Sequence, residues 1–144
     1  MNDDKRTVVV VPCSGIGKPL GSVTREAAYE LCDHLRPGDT RLVALSKLVL
    51  GDEPALERVR THPAVTIDGC KQMCASTLVK HSGGTVAQEV AVFDAFRNHK
   101  GLKPEGIAEL NAEGRELARI IAEEIAAQVD AIIQTGSKDG GQHA

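Results

Sequence analysis

The chain has 144 residues, with 17 lysines and arginines against 20 aspartates and glutamates and a formal net charge of -3. This length corresponds to one domain, which can bury about 70% of the surface that the unfolded chain exposes. The acidic balance provides no basic surface for nucleic acid. With one tyrosine, two phenylalanines and no tryptophan, the chain also lacks a platform on which bases could stack. The composition therefore disfavours nucleic-acid binding.

No apolar run approaches the roughly 20 residues that a membrane span requires, and residues 1–6 lack the apolar stretch of a signal peptide. We therefore expect a cytoplasmic protein without membrane contacts. Disulfides are rare in that reducing compartment, so the cysteines are expected to be metal ligands, reactive thiols or small core residues. The four cysteines are Cys13, Cys32, Cys70 and Cys74.

Strand and helix patterns alternate along the first half of the chain. A β-branched run at 7–12 predicts a strand that is buried on both faces. A glycine-rich loop follows, Ser22 is a candidate helix cap, and apolar residues at helical spacing predict a helix over 23–35. A second strand is predicted at 41–45 and a short helix at 55–60.

The second half continues the alternation. A third strand is predicted at 64–67, a helix at about 71–80 and a fourth strand within 86–93. A long amphipathic helix is expected to begin near Asn111, which is a suitable cap. The last residues, 137–144, are glycine-rich and polar, and we expect them to be disordered.

This order of elements predicts a single α/β domain over residues 1–136. Helices would cover both faces of a four-stranded parallel sheet, which makes a three-layer sandwich of the Rossmann-like or flavodoxin-like type. The predicted strand order is 2-1-3-4. Strands 1 and 3 are then neighbours, and their carboxyl ends flank the switch point at which open α/β sheets bind ligands. Cys13 and Cys70 follow these two ends.

The segment Asp-Gly-Cys-Lys-Gln-Met-Cys at 68–74 is the sharpest local feature of the sequence. A helix that starts near Cys70 would place Cys74 one turn further on the same face, about 6 Å away. A helix N-terminus also favours the thiolate, which either ligates a metal or attacks an electrophile. With Cys13 at the neighbouring strand end, three thiols would converge. The alternative interpretation makes each one a small core residue.

Cys32 falls on the apolar side of the first predicted helix, ~15 Å along the axis from its start. We interpret it as a core residue. A fourth metal ligand would come from Cys32 itself, Ser46, Asp68, His81 or a water molecule, because no spacing singles one of them out.

The loop Gly-Ile-Gly-Lys at 15–18 could cradle an anion on its backbone N–H groups, or its glycines could serve a tight turn only. The dinucleotide-binding pattern fails because it requires a glycine at Leu20, and the P-loop pattern fails at Pro19. Gly15 and Gly17 therefore remain candidate anion-binding residues without a named fingerprint.

Three motifs in order resemble the DGC-domain family of zinc-binding proteins. They are Val-Pro-Cys-Ser-Gly-Ile-Gly-Lys at 11–18, Thr-Arg-Glu-Ala-Ala-Tyr at 24–29 and Ile-Asp-Gly-Cys-x-x-x-Cys at 67–74. The resemblance covers roughly residues 7–93. It implies zinc held by cysteines.

Carried onto this sequence, the family pattern matches Cys13, Cys70 and Cys74. A further cysteine of the pattern, at the end of the second strand, has no counterpart here, since the chain reads Val-Ala-Leu-Ser at 43–46. Three cysteines with an open fourth position resemble a reactive or exchangeable zinc site more than a closed structural one.

The leading hypothesis is a cytoplasmic zinc-binding protein that acts as a sensor, a carrier or an accessory subunit, with any protein partner left open. An enzyme is the alternative. Cys13 would then be a nucleophile, because a strand followed by a cysteine and glycines is similar to the phosphocysteine loop of sugar phosphotransferase IIB proteins. A third hypothesis is thiol redox chemistry between Cys13 and Cys70 or Cys74, although C-x-x-x-C is not the usual spacing.

Overall fold

The structure, a computed structural model, describes residues 7–13 and 18–143, with side chains as far as residue 135. Its strands are β1 (Val8–Pro12), β2 (Thr40–Leu42), β3 (Ala64–Asp68) and β4 (Val86–Ala91). Its helices are α1 (Pro19–Tyr29), α2 (Leu45–Leu50), α3 (Glu53–Thr61), α4 (Cys74–His81), α5 (Val92–Asn98) and α6 (Ala112–His143). A π-helical turn, Glu30–Leu35, continues α1.

The four strands form one parallel sheet in the order β2-β1-β3-β4, which confirms the predicted α/β fold and strand order. In the register between the central strands, Val9 pairs with Ala64 and Pro12 pairs with Ile67. The carboxyl ends of β1 and β3 are therefore level with each other. Residues that follow these two strands meet at one edge of the sheet.

Alternate residues of β1 enter two different cores, because successive side chains of a strand point to opposite faces. Val8 and Val10 pack with residues of α1, α5 and α6. Val9, Val11 and then Cys13 pack with residues of α2, α3 and α4. Both faces of the sheet are covered, as the three-layer prediction requires, and each fully buried valine contributes about 1.5–3 kcal/mol relative to an exposed one.

The start of α1 differs from the prediction. The helix begins at Pro19, which suits a first helical position because its missing N–H would have no partner there. Ser22 is consequently inside the first turn, and its hydroxyl donates to the carbonyl of Ile107 at 2.6 Å. The prediction that Ser22 caps the helix was wrong, since its side chain connects α1 to a distant loop instead.

Two short helices overlap the carboxyl ends of segments that were predicted to be strands. β2 ends at Leu42 instead of residue 45, because Leu45 begins α2, which places Leu48 in the core. α5 follows β4 without an intervening loop, and it was not predicted. Both helices are only two turns or less, too short for a periodicity of 3.6 to be recognised beside strand residues.

The last helix agrees with its prediction at the start. The side chain of Asn111 accepts a hydrogen bond from the N–H of Gly114 at 2.9 Å, which confirms it as the cap. The side chains of Leu117, Ile121 and Ile125 are fully buried along one side of α6. The expectation of disorder for residues 137–144 falls beyond the described side chains and stays a prediction. Among the described residues, no helix is both long and apolar enough to cross a membrane.

Candidate functional site

Cys13 is buried directly after β1. Its side chain is 7% exposed, and its N–H donates to the carbonyl of Ile67 at 2.9 Å, which extends the pairing of the central strands. The N–H of Gly69 donates to the Cys13 Sγ at 3.3 Å. The Thr24 hydroxyl oxygen lies 3.7 Å from the same sulfur. The thiol is therefore held in place from two sides, by α1 and by the residue that precedes Cys70.

Burial raises the pKa of the Cys13 thiol above its ordinary value, and the nearby Asp68 carboxylate adds to the increase. The contacts with Gly69 and Thr24 lower the pKa, but they do not offset the burial. Cys13 is thus a neutral thiol at neutral pH. A neutral, enclosed thiol is a poor nucleophile, which disfavours the hypothesis of an enzyme that uses Cys13 for covalent chemistry. A coordinated metal ion would deprotonate it outright.

Asp68, the first residue of the Asp-Gly-Cys motif, fixes the helix that follows. Its side chain is buried, and it accepts hydrogen bonds from the N–H groups of Ala75 at 2.7 Å and Ser76 at 3.2 Å. These two N–H groups lie in the first turn of α4 and would otherwise have no partner. Burial raises the pKa of Asp68, while the two hydrogen bonds oppose the increase. Because both oxygens accept from α4, Asp68 acts as a positioning residue, which disfavours it as the fourth metal ligand.

Gly69, the second residue of the motif, allows α1 to approach closely. A Cβ atom at this position would lie 3.1 Å from the carbonyl oxygen of Leu20 and 3.2 Å from the nitrogen of Gly21. These are backbone atoms, which have little freedom to move aside. A side chain at residue 69 would therefore push the first turn of α1 away from the end of β3.

Cys70 and Cys74 do not share a helix. Cys70 is half-buried in a turn, and its carbonyl accepts from the N–H of Met73 at 3.2 Å. Met73 has a φ of 52°, in the left-handed region, and α4 begins only at Cys74. The prediction of a helix from about 71, with the two thiols one turn apart on it, was wrong because this turn intervenes. Cys74 is exposed, and its Sγ lies 4.0 Å from the Gln72 side-chain oxygen.

The three thiols that were predicted to converge differ in position and in exposure. Cys13 and Cys70 lie near each other, since the Cys13 sulfur accepts a hydrogen bond from the N–H of Gly69, the residue before Cys70. Cys74 lies outside this pair, on the exposed start of α4. In the described part of the chain, no group of three or more His, Cys, Asp or Glu side chains is arranged to hold a metal ion.

In the described part of the chain, neither Cys32 nor His81 joins the two thiols in a group of possible metal ligands. Cys32 is half-buried and packs against the core formed with α6, as expected for a core residue. Ser46 is exposed in the first turn of α2. His81 ends α4, about 10 Å along the axis from Cys74. The candidate anion-binding residues Gly15 and Gly17 lie outside the described residues, so their role stays a prediction.

A cavity of about 680 Å³ opens beside Cys70 and was not predicted from the sequence. Phe93 and Phe96 of α5 form one wall, and the start of α1 and residues 103–105 form others. The spacing of the two phenylalanines, three residues apart, was the available signal. It was missed because residues 92–98 were not recognised as a helix.

Taken together, these features define an open α/β domain that carries a buried and a half-exposed thiol at the switch point of its sheet. The family model described as DGC domain matches residues 9–123, which is most of the chain. The protein therefore belongs to the DGC-domain family, as its motifs indicated. The comparison with curated proteins and the comparison with solved structures each gave no match.

Proposed function

We propose that the protein binds zinc through Cys13, Cys70 and Cys74. The observation that carries the proposal is the 3.3 Å contact between the Gly69 N–H and the Cys13 sulfur, which joins the end of β1 to the Asp-Gly-Cys motif. Zinc prefers thiolate ligands, and membership of the DGC-domain family supports the same assignment. All four cysteines are free thiols, which is in line with the reducing cytoplasm as the compartment.

The donor set fits zinc in its chemistry, and the adjacent strand ends support Cys13 and Cys70 as two of the ligands. Cys13 is positioned by Gly69 and Thr24, and Cys70 follows in the adjacent turn. Cys74 is exposed, so its side chain must turn inward for it to serve as the third ligand. The turn at Met73 is the place where such a change would occur. A bound zinc with three protein ligands would supply a Lewis-acidic centre with an open fourth position.

The proposed site is exchangeable, in the manner of a sensor, a carrier or an accessory subunit. Both faces of the sheet have continuous aliphatic cores, and these cores do not include Cys70 or Cys74 among their buried residues. The fold therefore has no need of a metal to hold it together. The open fourth position gives a competing protein or small thiol direct access to the metal.

The test is a zinc titration of chelator-treated protein with a competing chromogenic chelator. We expect about one equivalent of zinc to bind the unaltered protein, and we expect Cys74→Ser to weaken binding by at least about tenfold. Cys74→Ser is the sharpest variant because its exposed side chain has little part in folding. Cys70→Ser should have a similar effect, and Cys13→Ser is less informative because it alters a buried residue.

Cys32→Ser is the matched control, since it removes a half-buried thiol that packs with the core on the opposite face of the sheet from Cys13. It should leave zinc affinity unchanged. Cobalt in place of zinc adds an independent readout, because thiolate ligands produce an intense charge-transfer absorption that should diminish with each true ligand removed. Equal zinc affinity in the Cys74→Ser, Cys70→Ser and unaltered proteins would overturn the proposal.

A further inference from the structure

The cavity beside Cys70 concentrates positive charge in a chain whose net charge is negative. Lys18, Lys71, Arg97 and Lys103 line it, against a single carboxylate, Glu105. Arg97 is 3.6 Å from Asp94 in an ion pair. In the described part of the chain, the other cationic lining residues, all lysines, form no ion pair. Among the described residues, the cavity therefore carries more cationic than anionic side chains.

The same cavity holds both phenylalanines of the chain. Phe96 is half-buried and packs against the edge of the core on the α6 side. Phe93, also half-buried, lines the cavity and is not among the residues described as packed in either core cluster. Pro19 and Leu20 add apolar surface at the start of α1. Aromatic side chains are a normal component of the lining of a ligand site.

We propose that this cavity binds a small organic anion, with an apolar planar body against Phe93 and Phe96 and an anionic group held by Lys18, Lys71 and Lys103. A volume of about 680 Å³ is suited to such a molecule, because small-molecule sites span roughly 300–1,000 Å³. The start of α1 lies in the wall, and its dipole favours negative charge. Of the three proposed zinc ligands only Cys70 lines the cavity, and the inference rests on the lysines and phenylalanines instead of on zinc.

A carboxylate and a phosphate share the chemistry that the lysines recognise, and matched probes separate the two. Chelator-treated protein is titrated by calorimetry with 2-naphthoate, 2-naphthyl phosphate and the neutral 2-naphthylmethanol. We expect the anions to bind at least about tenfold more tightly than the alcohol, with affinity that falls as salt rises. The tighter anion identifies the anionic group. Absence of binding, or an alcohol that binds as tightly as both anions, would overturn the proposal.

Substitutions test whether the three naphthyl probes bind in this cavity. Lys71→Gln and Lys103→Gln should each weaken the anions about two- to fivefold while leaving the alcohol unchanged. Phe93→Ala should weaken all three probes, because it removes the surface for the planar body. Lys47→Gln on α2 makes the same charge change away from the cavity and should have no effect. An equal loss in Lys47→Gln and Lys71→Gln would refute the assignment.

Cys74→Ser separates this proposal from the zinc site. The residue lies outside the cavity, so the variant should bind zinc at least about tenfold more weakly while its affinity for the naphthyl anions stays the same. In the unaltered protein, failure to bind zinc with intact anion binding would refute only the metal proposal. Intact zinc binding with no anion binding would refute only the proposal for the cavity.

Discussion

Cys13 and Cys70 follow neighbouring parallel strands, yet their thiols lie in opposite surroundings. Cys13 comes directly after β1, level with Asp68, and strand alternation carries its side chain into the core on the α2–α4 side. Cys70 comes two residues after β3, past Gly69, and its side chain reaches the open cavity. Strand topology brings the two residues to one edge, and the turn after each strand decides which thiol meets solvent.

The largest expected effect is on the rates at which the thiols of Cys13, Cys70 and Cys74 are alkylated. In metal-free protein at neutral pH, iodoacetamide should modify Cys70 and Cys74 on the order of 100-fold faster than Cys13, which reacts only after local opening. Because burial raises the pKa of Cys13, its modification should continue to increase to a higher pH in the folded protein than in denaturant. Mass-spectrometric peptide mapping over time measures each rate.

The same mapping in denaturant is the control for intrinsic reactivity, since unfolding removes the difference in burial and the four rates should converge. Zinc added to the folded protein should protect Cys70 and Cys74 if they are ligands. If Cys13 is modified as fast as Cys70 in the folded, metal-free protein, Cys13 does not stay buried in solution.

A smaller effect is expected when Gly69, which contacts the Cys13 sulfur and precedes Cys70, is replaced. Gly69→Ala places a Cβ against the backbone of Leu20 and Gly21, so α1 must move away from β3. We expect a loss of about 1–3 kcal/mol in the free energy of unfolding, measured with urea. The displacement would also loosen the Gly69 contact with the Cys13 sulfur, so alkylation of Cys13 should accelerate.

Gly101→Ala is the matched control, because a Cβ at Gly101 meets no atom within 4 Å. Its free energy of unfolding should change by less than about 1 kcal/mol. Equal destabilisation by the two substitutions would contradict the role assigned to Gly69 as the point of close approach between α1 and the motif.

The strand order and the position of the thiols along the sheet could be predicted from sequence because both follow from periodicity. The β-branched run before Cys13 and the alternation of strands with helices are local patterns, and a parallel sheet with right-handed crossovers leaves few arrangements. The placement of Cys74 could not be predicted in this way. It depends on Met73 in a left-handed conformation, which a methionine rarely adopts and no propensity indicates.

The cavity could not be predicted from the sequence for a different reason. Its lining comes from four separate segments, among them the start of α1, the turn after Gly69 and the segment at Lys103. No single stretch of sequence carries that grouping, because it arises only when the helices pack. The scarcity of aromatic residues indicated that the chain has no stacking platform, whereas the fold brings two of its three aromatic rings, Phe93 and Phe96, to one site.

The smallest expected effect concerns the anchoring of α4, which begins with the exposed Cys74. Glu89 on β4 accepts hydrogen bonds from the Ser76 hydroxyl and, at 3.0 Å, from the Lys80 ammonium, and these contacts hold its pKa below the ordinary value. A lowered folded-state pKa stabilises the protein above the pKa of the unfolded chain, about 4.3, and the contribution disappears as the pH falls through the folded value. Glu89→Gln should therefore cost a few tenths of a kcal/mol at pH 7, since the pair is partly exposed. Urea unfolding of both proteins should show this difference shrinking between pH 5 and pH 3; a difference that is constant with pH would mean that the charge of Glu89 does not hold α4 against the sheet.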